Sequence, residues 1–224
     1  MTGSIEHNIN TIRRSLPPTV KLIVVTKYVT SDAIREAYRL GIRDFGESKI
    51  QSAEVKQQEL ADLPDIHWHL IGHLQGNKVR KALQLFDWIH SVDSLKLAQQ
   101  IDRISSELNL RPKVYLQVKI LPDAAKYGWM VPELQIDLPE LNQLEQLDIR
   151  GLMVIPPMGL TNPETQQLFQ QAQELKEEIG QQDWANLRMS ELSMGMSNDY
   201  QYAIMAGSTS IRLGSVVFGD RIKD

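Results

Sequence analysis

The chain has 224 residues, with 24 lysines and arginines against 28 aspartates and glutamates, and it contains no cysteine. The net charge of −4 argues against nucleic acid or an anionic membrane surface as a partner. The absence of cysteine excludes disulfides, thiolate metal ligands and a cysteine nucleophile. No stretch of about 18 apolar residues and no hydrophobic signal core occurs, so we expect a soluble, cytoplasmic protein that does not bind membranes.

Helices and strands are predicted to alternate through the first half of the chain. Apolar residues at helical spacing predict a helix over residues 4–16, which two prolines end. The run KLIVVTK, residues 21–27, predicts a parallel strand buried on both faces, and Ser31 is expected to cap the helix that follows. The next strands are predicted at residues 43–47, 66–72 and 88–93, each followed by a helix.

The same alternation continues through the second half of the chain. Strands are predicted at residues 114–119, 149–155, 186–192 and 210–219, the last of these including its exit turn. Helices are predicted between them at residues 132–146, 162–180 and 199–206. Asn162 and Pro163 are expected to open the second of these helices, and Gly180 is expected to end it.

Eight strand and helix repeats without a composition shift or a linker indicate a parallel sheet. A (β/α)8 barrel usually has about 250 residues. The length of this chain therefore predicts an α/β fold, a single (β/α)8 TIM barrel with an extra N-terminal helix, as one domain over residues 1–224. A doubly wound open sheet is the alternative, but no G-x-G-x-x-G follows the first predicted strand.

Lys27 stands at the carboxyl end of the first predicted strand. Ligands bind at that end of a barrel, because the loops after all eight strands meet there. A partly desolvated lysine amine at this place is a candidate for a Schiff base with an aldehyde. The alternative is a surface lysine that only marks the end of a buried strand.

The other predicted strand ends also carry polar or small residues. They are Glu47, His69, Gly72, His90, Asp93, Gln117, Lys119, Met153, Ser193, Gly195, Ser197, Arg212, Gly214 and Ser215. Stability alone does not require a lysine, an arginine and several glycine and serine turns at one end of a barrel. We therefore expect these strand ends to form a ligand site.

Two small-residue turns near the end of the chain predict a phosphate site. The stretch SMGMSNDY, residues 193–200, leads into a predicted helix, and RLGS, residues 212–215, is a glycine turn after the eighth strand. Free backbone N–H groups and the helix dipole favour an anion at such places. Barrels commonly bind phosphate at the loops after strands seven and eight. The alternative role for Ser197 is that of a helix cap.

Arg212 ends the eighth strand, which lies beside the first strand in a closed barrel. An imine-forming lysine, a neighbouring arginine and a phosphate cradle together are typical of a pyridoxal 5′-phosphate (PLP) site. Lys27 is then expected to hold the aldehyde carbon, and Arg212 to donate to the pyridine nitrogen. An always-charged arginine leaves that nitrogen unprotonated, which makes the ring a weak electron sink. A salt bridge at the barrel rim is the alternative role for Arg212.

His67 and His69 alternate on the third predicted strand and should point to the same side. A His-x-His pair in a barrel is also typical of metal-dependent hydrolases, to which His73 and His90 could add ligands. Arg212 is a poor neighbour for a metal cation, however, so no metal site is predicted. His69 is instead expected to hydrogen-bond within the barrel mouth, as part of the cofactor site.

With these stretches in place, the chain resembles the pyridoxal phosphate homeostasis protein family. That family is similar to the N-terminal barrel of alanine racemase standing alone, a fold type III PLP protein. The most specific matching stretches are WHLIGHLQGNK (68–78) and LSMGMSNDY (192–200). The others are VVTK (24–27), FGES (45–48), HSVD (90–93), QVK (117–119), KYG (126–128), RGLM (150–153) and GSTSIRLGSVVFGDR (207–221). Ser48 is a departure, because the family usually reads FGEN there.

The resemblance implies one PLP-binding barrel domain with Lys27 as the Schiff-base lysine and Arg212 facing the pyridine nitrogen. Phosphate binding is implied for Ser197, Gly214 and Ser215. The expected cofactor-binding set is Lys27, Arg212, Ser197, Gly214, Ser215, Ser193, Met153 and His69. No catalytic residue is expected. PLP is the expected partner, with PLP-dependent apo-enzymes as its recipients.

Catalysis is the remaining question for such a barrel. A racemase needs one base on each face of the substrate α-carbon. In alanine racemase the second base is a tyrosine from a separate domain of the partner subunit. We expect this chain to lack that domain, and its six tyrosines all fall within the barrel. The sequence thus predicts a non-catalytic monomer that takes part in vitamin B6, amino-acid and keto-acid balance; a weak PLP-dependent racemase is the alternative.

Overall fold

A computed structural model describes residues 3–219 of the chain. The strands are β1 (Lys21–Val25), β2 (Asp44–Glu47), β3 (His67–Leu70), β4 (Trp88–Val92), β5 (Lys113–Lys119), β6 (Trp129–Met130), β7 (Asp148–Val154), β8 (Leu187–Ser193) and β9 (Ser210–Leu213). Eight of them are parallel and close a barrel in the order β1-β2-β3-β4-β5-β7-β8-β9, with β9 pairing back to β1. The two-residue strand β6 pairs with the carboxyl end of β5. The predicted TIM barrel is confirmed.

Helices surround this barrel. They are α1 (Ile5–Ser15), α2 (Ser31–Arg39), α3 (Ile50–Glu59), α4 (Val79–Leu85), α5 (Leu95–Leu108), α6 (Val131–Leu141), α7 (Asn162–Gly180), α8 (Tyr200–Met205) and α9 (Ser215–Phe218). The extra N-terminal helix is confirmed as α1, and its Asn8 side-chain amide donates to the Val217 carbonyl in α9 over 2.9 Å. Within residues 3–219, no helix has the length and apolar character needed to cross a bilayer.

The core explains why the strands were predictable. Leu22, Ile23, Val24 and Val25 of β1 are all buried, because side chains on one face of the strand fill the barrel and those on the other meet the helices. Each large helix buries one stripe against this layer; in α7 the stripe consists of Thr165, Leu168, Phe169, Ala172, Leu175 and Ile179. Burial of such apolar surface is the main force that holds the layers together.

One expected helix cap needs correction, and one expected helix start is confirmed. Thr30, and not Ser31, caps α2, because the Thr30 hydroxyl accepts the Ala33 N–H while the Ser31 hydroxyl bonds to Glu59 of α3. Helix α7 begins at Asn162 with Pro163 in its first turn, as predicted, and Thr161 before it forms a capping box with Glu164. Only the cap of α2 therefore lies one residue before its predicted position.

Two further differences concern short elements. The helix predicted over residues 132–146 ends at Leu141, and the predicted exit turn after the last strand contains the four-residue helix α9. The glycine turn after β9 nevertheless lies at the predicted place. Because Ile23 pairs with Arg212 and Val24 with Leu213, the segment after β1 and the segment after β9 leave the barrel side by side. Lys27 and Gly214 are therefore on neighbouring strand ends.

Candidate cofactor site

Lys27 lies in a tight turn that follows β1. The Val29 N–H donates to the Thr26 carbonyl over 2.9 Å, and Tyr28 between them has a φ of 61°. A bulky residue in this left-handed region carries strain, so the neighbouring structure must hold the turn in place. The Lys27 side chain is exposed at the barrel mouth. The partial desolvation expected from the sequence is therefore wrong for the protein on its own.

A buried ion pair holds the base of the Lys27 turn. Glu47, at the end of β2, is 1% exposed, and its Oε1 accepts hydrogen bonds from Lys56 Nζ at 2.5 Å and Thr26 Oγ1 at 2.6 Å. The same Lys56 ammonium donates to the Thr26 carbonyl over 2.7 Å. Both the side chain and the backbone of the residue before Lys27 are thus fixed. Lys56 was missed in the sequence, because nothing in the pattern of α3 shows that this lysine turns inward.

The Arg212 side chain lies inside the barrel, just below the mouth. It is 4% exposed and donates to Ser193 Oγ at 2.5 Å and to the Val154 carbonyl at 3.0 Å. Ser193 and Val154 are the last residues of β8 and β7, so the guanidinium lies at the level of the carboxyl strand ends. An arginine has five N–H donors, and these two contacts leave others for a ligand.

Arg212 remains a cation despite its burial. Burial lowers its pKa to about 10, although Asp199 and, less strongly, Tyr115 act to raise it. Within residues 3–219 Arg212 forms no salt bridge, which disfavours the alternative of a rim ion pair. Burying a guanidinium without a direct counter-ion costs free energy, so we expect the Arg212 side chain to bind a ligand group as well.

Ser197 joins the two small-residue turns. Its Oγ accepts the N–H groups of Gly214 at 3.3 Å and Val216 at 3.4 Å. Asp199 is the residue at the N-cap position of α8, so the alternative role of Ser197 as a helix cap is wrong. The hydroxyl instead lies against the first turn of α9, where helix N–H groups have no acceptor within the helix.

Gly195 and Asp199 give the turn after β8 its shape. Gly195 has a φ of 99°, and a Cβ at this position would lie 2.7 Å from the Cβ of Ala203. The Asp199 Oδ1 accepts the Met196 N–H over 2.5 Å. Burial raises the pKa of Asp199, although this hydrogen bond acts in the opposite direction. The turn is therefore held in one shape by contacts within the protein.

Three of the expected cofactor residues have other surroundings. Met153 is completely buried among aromatic side chains, and His69 is 1% exposed with one ring nitrogen bonded to His90 and the other to Asp44. Ser215 is exposed at the start of α9. A direct contact with the cofactor stays a prediction for all three residues.

The histidines separate into two groups. His67 and His69 both reach the Asp44 carboxylate, at 3.6 Å and 2.9 Å, so the prediction that they share one side of the strand is confirmed. His73 lies elsewhere, with its Nδ1 at 2.8 Å from Asp93. Within residues 3–219, no group of three or more histidine, aspartate or glutamate side chains is arranged to hold a metal ion.

Comparison with known proteins defines the class of barrel. Residues 2–222 match the family model of the alanine racemase N-terminal domain. A solved alanine racemase from Clostridium difficile 630 superposes with a TM-score of 0.78 at 16% identity; the match covers 99% of this chain and 60% of the racemase. At that identity the similarity shows the fold alone. The class is that of the alanine racemase N-terminal barrel.

Closer relatives define the family within this class. A pyridoxal phosphate homeostasis protein from Synechocystis sp. is 50% identical over 208 residues, which cover 93% of this chain and 94% of the relative. The structure of PipY from Synechococcus elongatus PCC7942, solved with PLP bound, has 53% identity and a TM-score of 0.92, covering 96% of this chain and all of that one. The chain belongs to the pyridoxal phosphate homeostasis protein family.

Proposed function

We propose that this chain acts as one barrel domain over residues 1–224, which binds PLP reversibly through Lys27 and serves vitamin B6, amino-acid and keto-acid balance without catalysing a reaction. One observation carries the proposal. The exposed Lys27 amine, the buried Arg212 guanidinium and the N–H turn around Ser197 lie at neighbouring carboxyl strand ends of one barrel. The structure of the relative PipY with PLP bound supports the choice of ligand.

The donors at this mouth match the three polar parts of PLP. The aldehyde of PLP condenses with a primary amine to a Schiff base, its ring nitrogen accepts a hydrogen bond, and its phosphate accepts several. Lys27 would hold the aldehyde and Arg212 would donate to the ring nitrogen. The N–H group of Ser215 would bind the phosphate directly, and that of Gly214 would act through the Ser197 hydroxyl that accepts it. Because the Ser197 oxygen already accepts two N–H groups, its own proton is left to donate to the phosphate.

Two features of the mouth support binding without catalysis. An arginine at the pyridine nitrogen leaves that nitrogen unprotonated, so the ring withdraws electrons poorly from a bound amino acid. Lys27 is exposed to solvent, and an open site weakens the electrostatic stabilisation on which catalysis depends. Both features suit a protein that holds its cofactor and releases it again.

Exposed apolar side chains support apo-enzymes as recipients of PLP. Tyr28, Tyr127 and Met158 are 63%, 56% and 93% exposed. They lie in the loops after β1, β5 and β7, which surround the mouth. We propose that a recipient enzyme docks at this rim, because a partner protein would cover its exposed apolar side chains. The carrier itself is proposed to be a cytoplasmic monomer.

The absorption spectrum tests the proposed binding. Adding PLP to the purified protein should produce a visible band. Borohydride should abolish that band by reducing the C=N bond, which leaves one phosphopyridoxyl group per chain, mapped by mass spectrometry to Lys27. Pyridoxal, which lacks the phosphate, is the matched probe and should bind far more weakly, because it cannot use the Ser197 turn. Absence of any band at saturating PLP would refute the proposal.

A turnover assay separates the carrier from the racemase alternative. The PLP-loaded protein should leave the optical purity of L-alanine and D-alanine unchanged over hours, because the mouth is open and the ring is a weak electron sink. Steady racemisation that disappears in a Lys27→Ala variant would establish the enzyme instead. His73, with its Asp93 partner at 2.8 Å, would then be the first candidate for the second base.

A further inference from the structure

A chain of hydrogen bonds crosses the barrel and ends at Arg212. Asp44 Oδ1 lies 2.9 Å from His69 Nε2, and His69 Nδ1 lies 2.9 Å from His90 Nε2. His90 Nδ1 lies 2.8 Å from Ser193 Oγ. The Ser193 oxygen in turn accepts the Arg212 N–H over 2.5 Å. We call the four residues from Asp44 to Ser193 the barrel relay.

The relay connects the two ends of the barrel through its dry interior. Asp44 begins β2 at the amino-terminal end, whereas Ser193 ends β8 at the mouth. His69, His90 and Ser193 are at most 1% exposed, and only Asp44, with a side chain 19% exposed, reaches solvent. Buried polar groups of this kind are stable only when they bond to one another.

The carboxylate at one end fixes the direction of every proton in the relay. Asp44 can only accept, so His69 must donate to it from Nε2, which leaves Nδ1 as an acceptor. His90 must then donate from Nε2, which leaves its own Nδ1 to accept the Ser193 proton. Because the Ser193 hydroxyl donates its proton to His90, a lone pair of the Ser193 oxygen is left to accept the Arg212 N–H.

The charges of the relay agree with these proton positions. Burial lowers the pKa of His69 and lowers that of His90 well below its usual value, so both rings are neutral and carry one proton at pH 7. Burial acts to raise the pKa of Asp44, but the hydrogen bond from His69 and the nearby positive charges outweigh it and lower the pKa overall. Asp44 is therefore ionised and acts only as an acceptor.

We propose that the barrel relay positions Arg212 for PLP. The Asp44 carboxylate, acting through His69 and His90, fixes the orientation of the Ser193 hydroxyl. The Arg212 guanidinium bonded to that hydroxyl then presents its remaining N–H groups to the pyridine nitrogen of PLP. The inference rests on the proposed function for the identity of that ligand. It gives His69 and Ser193, both expected in the cofactor site, a role that acts through Arg212. None of the four relay residues needs to touch the cofactor.

Nitrogen-15 NMR of the histidine rings tests the relay in the PLP-free wild-type protein. The chain has five histidines, few enough to assign by single substitutions. His69 and His90 should both be neutral and carry their proton on Nε2. A proton on Nδ1 of either ring would overturn the proposal, because the relay would then run in the opposite direction.

A pair of substitutions tests the effect on the cofactor. His90→Phe removes two links of the relay and should weaken PLP binding about tenfold, the loss expected when one hydrogen bond to a charged group is misaligned. It should also shift the visible band of bound PLP. His67→Phe is the matched control, because His67 also reaches Asp44, at 3.6 Å, but lies outside the relay. Its affinity and spectrum should equal those of the wild type.

The results separate this inference from the proposed function. A folded His90→Phe protein with unchanged PLP affinity and an unchanged band would overturn the positioning role. If the wild type binds no PLP, the proposed function fails, while the ring tautomers still decide whether the relay exists. If His90→Phe does not fold, the same wild-type NMR measurement decides the matter.

Discussion

Lys27→Ala should abolish the visible band and all borohydride-dependent labelling by PLP. Lys27 is the lysine that follows β1, beside the Ser197 turn, and the geometry that holds it is specific: Glu47 and Lys56 fix the preceding residue. Without the amine, PLP is held only by its phosphate and ring nitrogen. We expect the reduced, labelled peptide to be absent from the digest and the affinity for PLP to fall strongly. Absorption spectroscopy and mass spectrometry measure both effects.

Two controls make this result specific. Lys119→Ala removes a lysine at the carboxyl end of another barrel strand, β5, and should leave labelling complete. Lys27→Arg keeps the positive charge but cannot form the Schiff base, so it should behave like Lys27→Ala in the borohydride experiment. Full labelling of Lys27→Ala would show that PLP reacts with other lysines and would remove Lys27 from the site.

Gly151→Ala should lower the free energy of unfolding by at least about 3 kcal/mol, because overpacking against rigid backbone is costly. Gly151 lies in β7 opposite Glu191 of β8, where the strand register shifts. A Cβ there would lie 1.8 Å from the Glu191 carbonyl oxygen, far inside contact distance. Backbone on a neighbouring strand cannot move aside as a flexible side chain can. Denaturant unfolding followed by circular dichroism measures the loss.

Gly180→Ala provides the matched control for this prediction. Gly180 is the last residue of α7, and an added Cβ would meet Met189 at an ordinary 3.4 Å. The substitution should change stability by less than about 1 kcal/mol, with the helix propensity of alanine acting in its favour. Equal stabilities of the Gly151→Ala and Gly180→Ala variants would show that β7 and β8 adjust to the added atom.

The RGLM stretch shows what a family motif can mean. It was one of the stretches that carried the resemblance, and in the structure it serves the sheet. Gly151 allows the close approach of β8, while Arg150 bonds to Glu191 at 2.9 Å and to Asp148 at 3.3 Å. Glu191 also accepts the Tyr115 hydroxyl at 2.6 Å. A motif shared with a cofactor-binding family is therefore not by itself evidence of cofactor contact.

The barrel was predictable from the sequence because buried parallel strands leave continuous apolar runs. Such a run predicted β1 almost to the residue, and the other predicted strands overlap the observed ones, although the last, residues 210–219 with its exit turn, also contains α9. The misplaced cap of α2 shows where the pattern stops being informative. Thr30 and Ser31 are adjacent hydroxyl residues, and only the contact between Ser31 and Glu59 of another helix decides which one caps α2. The two-residue strand β6 and the four-residue helix α9 are too short to give a periodic signal.

The candidate site was only partly predictable from the sequence. The strand ends placed Lys27 after β1 beside Arg212 on β9, and Ser197 beside Gly214, as the barrel closure and the Gly214–Ser197 hydrogen bond have them; that these residues bind the cofactor stays a prediction. The relay was not foreseen, since the contact between His69 and His90 depends on the register of β3 against β4. One signal was present: each histidine is the third residue of a buried strand. A polar residue there must find a buried partner.

Barrel closure also determines when the cofactor site can form during protein synthesis. Lys21 pairs with Ser210, so β1 waits with an open edge until the ribosome has made β9. Lys27 is synthesised long before Arg212 and Gly214. An unfinished chain therefore has the reactive amine but neither the guanidinium nor the phosphate turn. In the proposed function, only the completed barrel would bind free PLP in the cell.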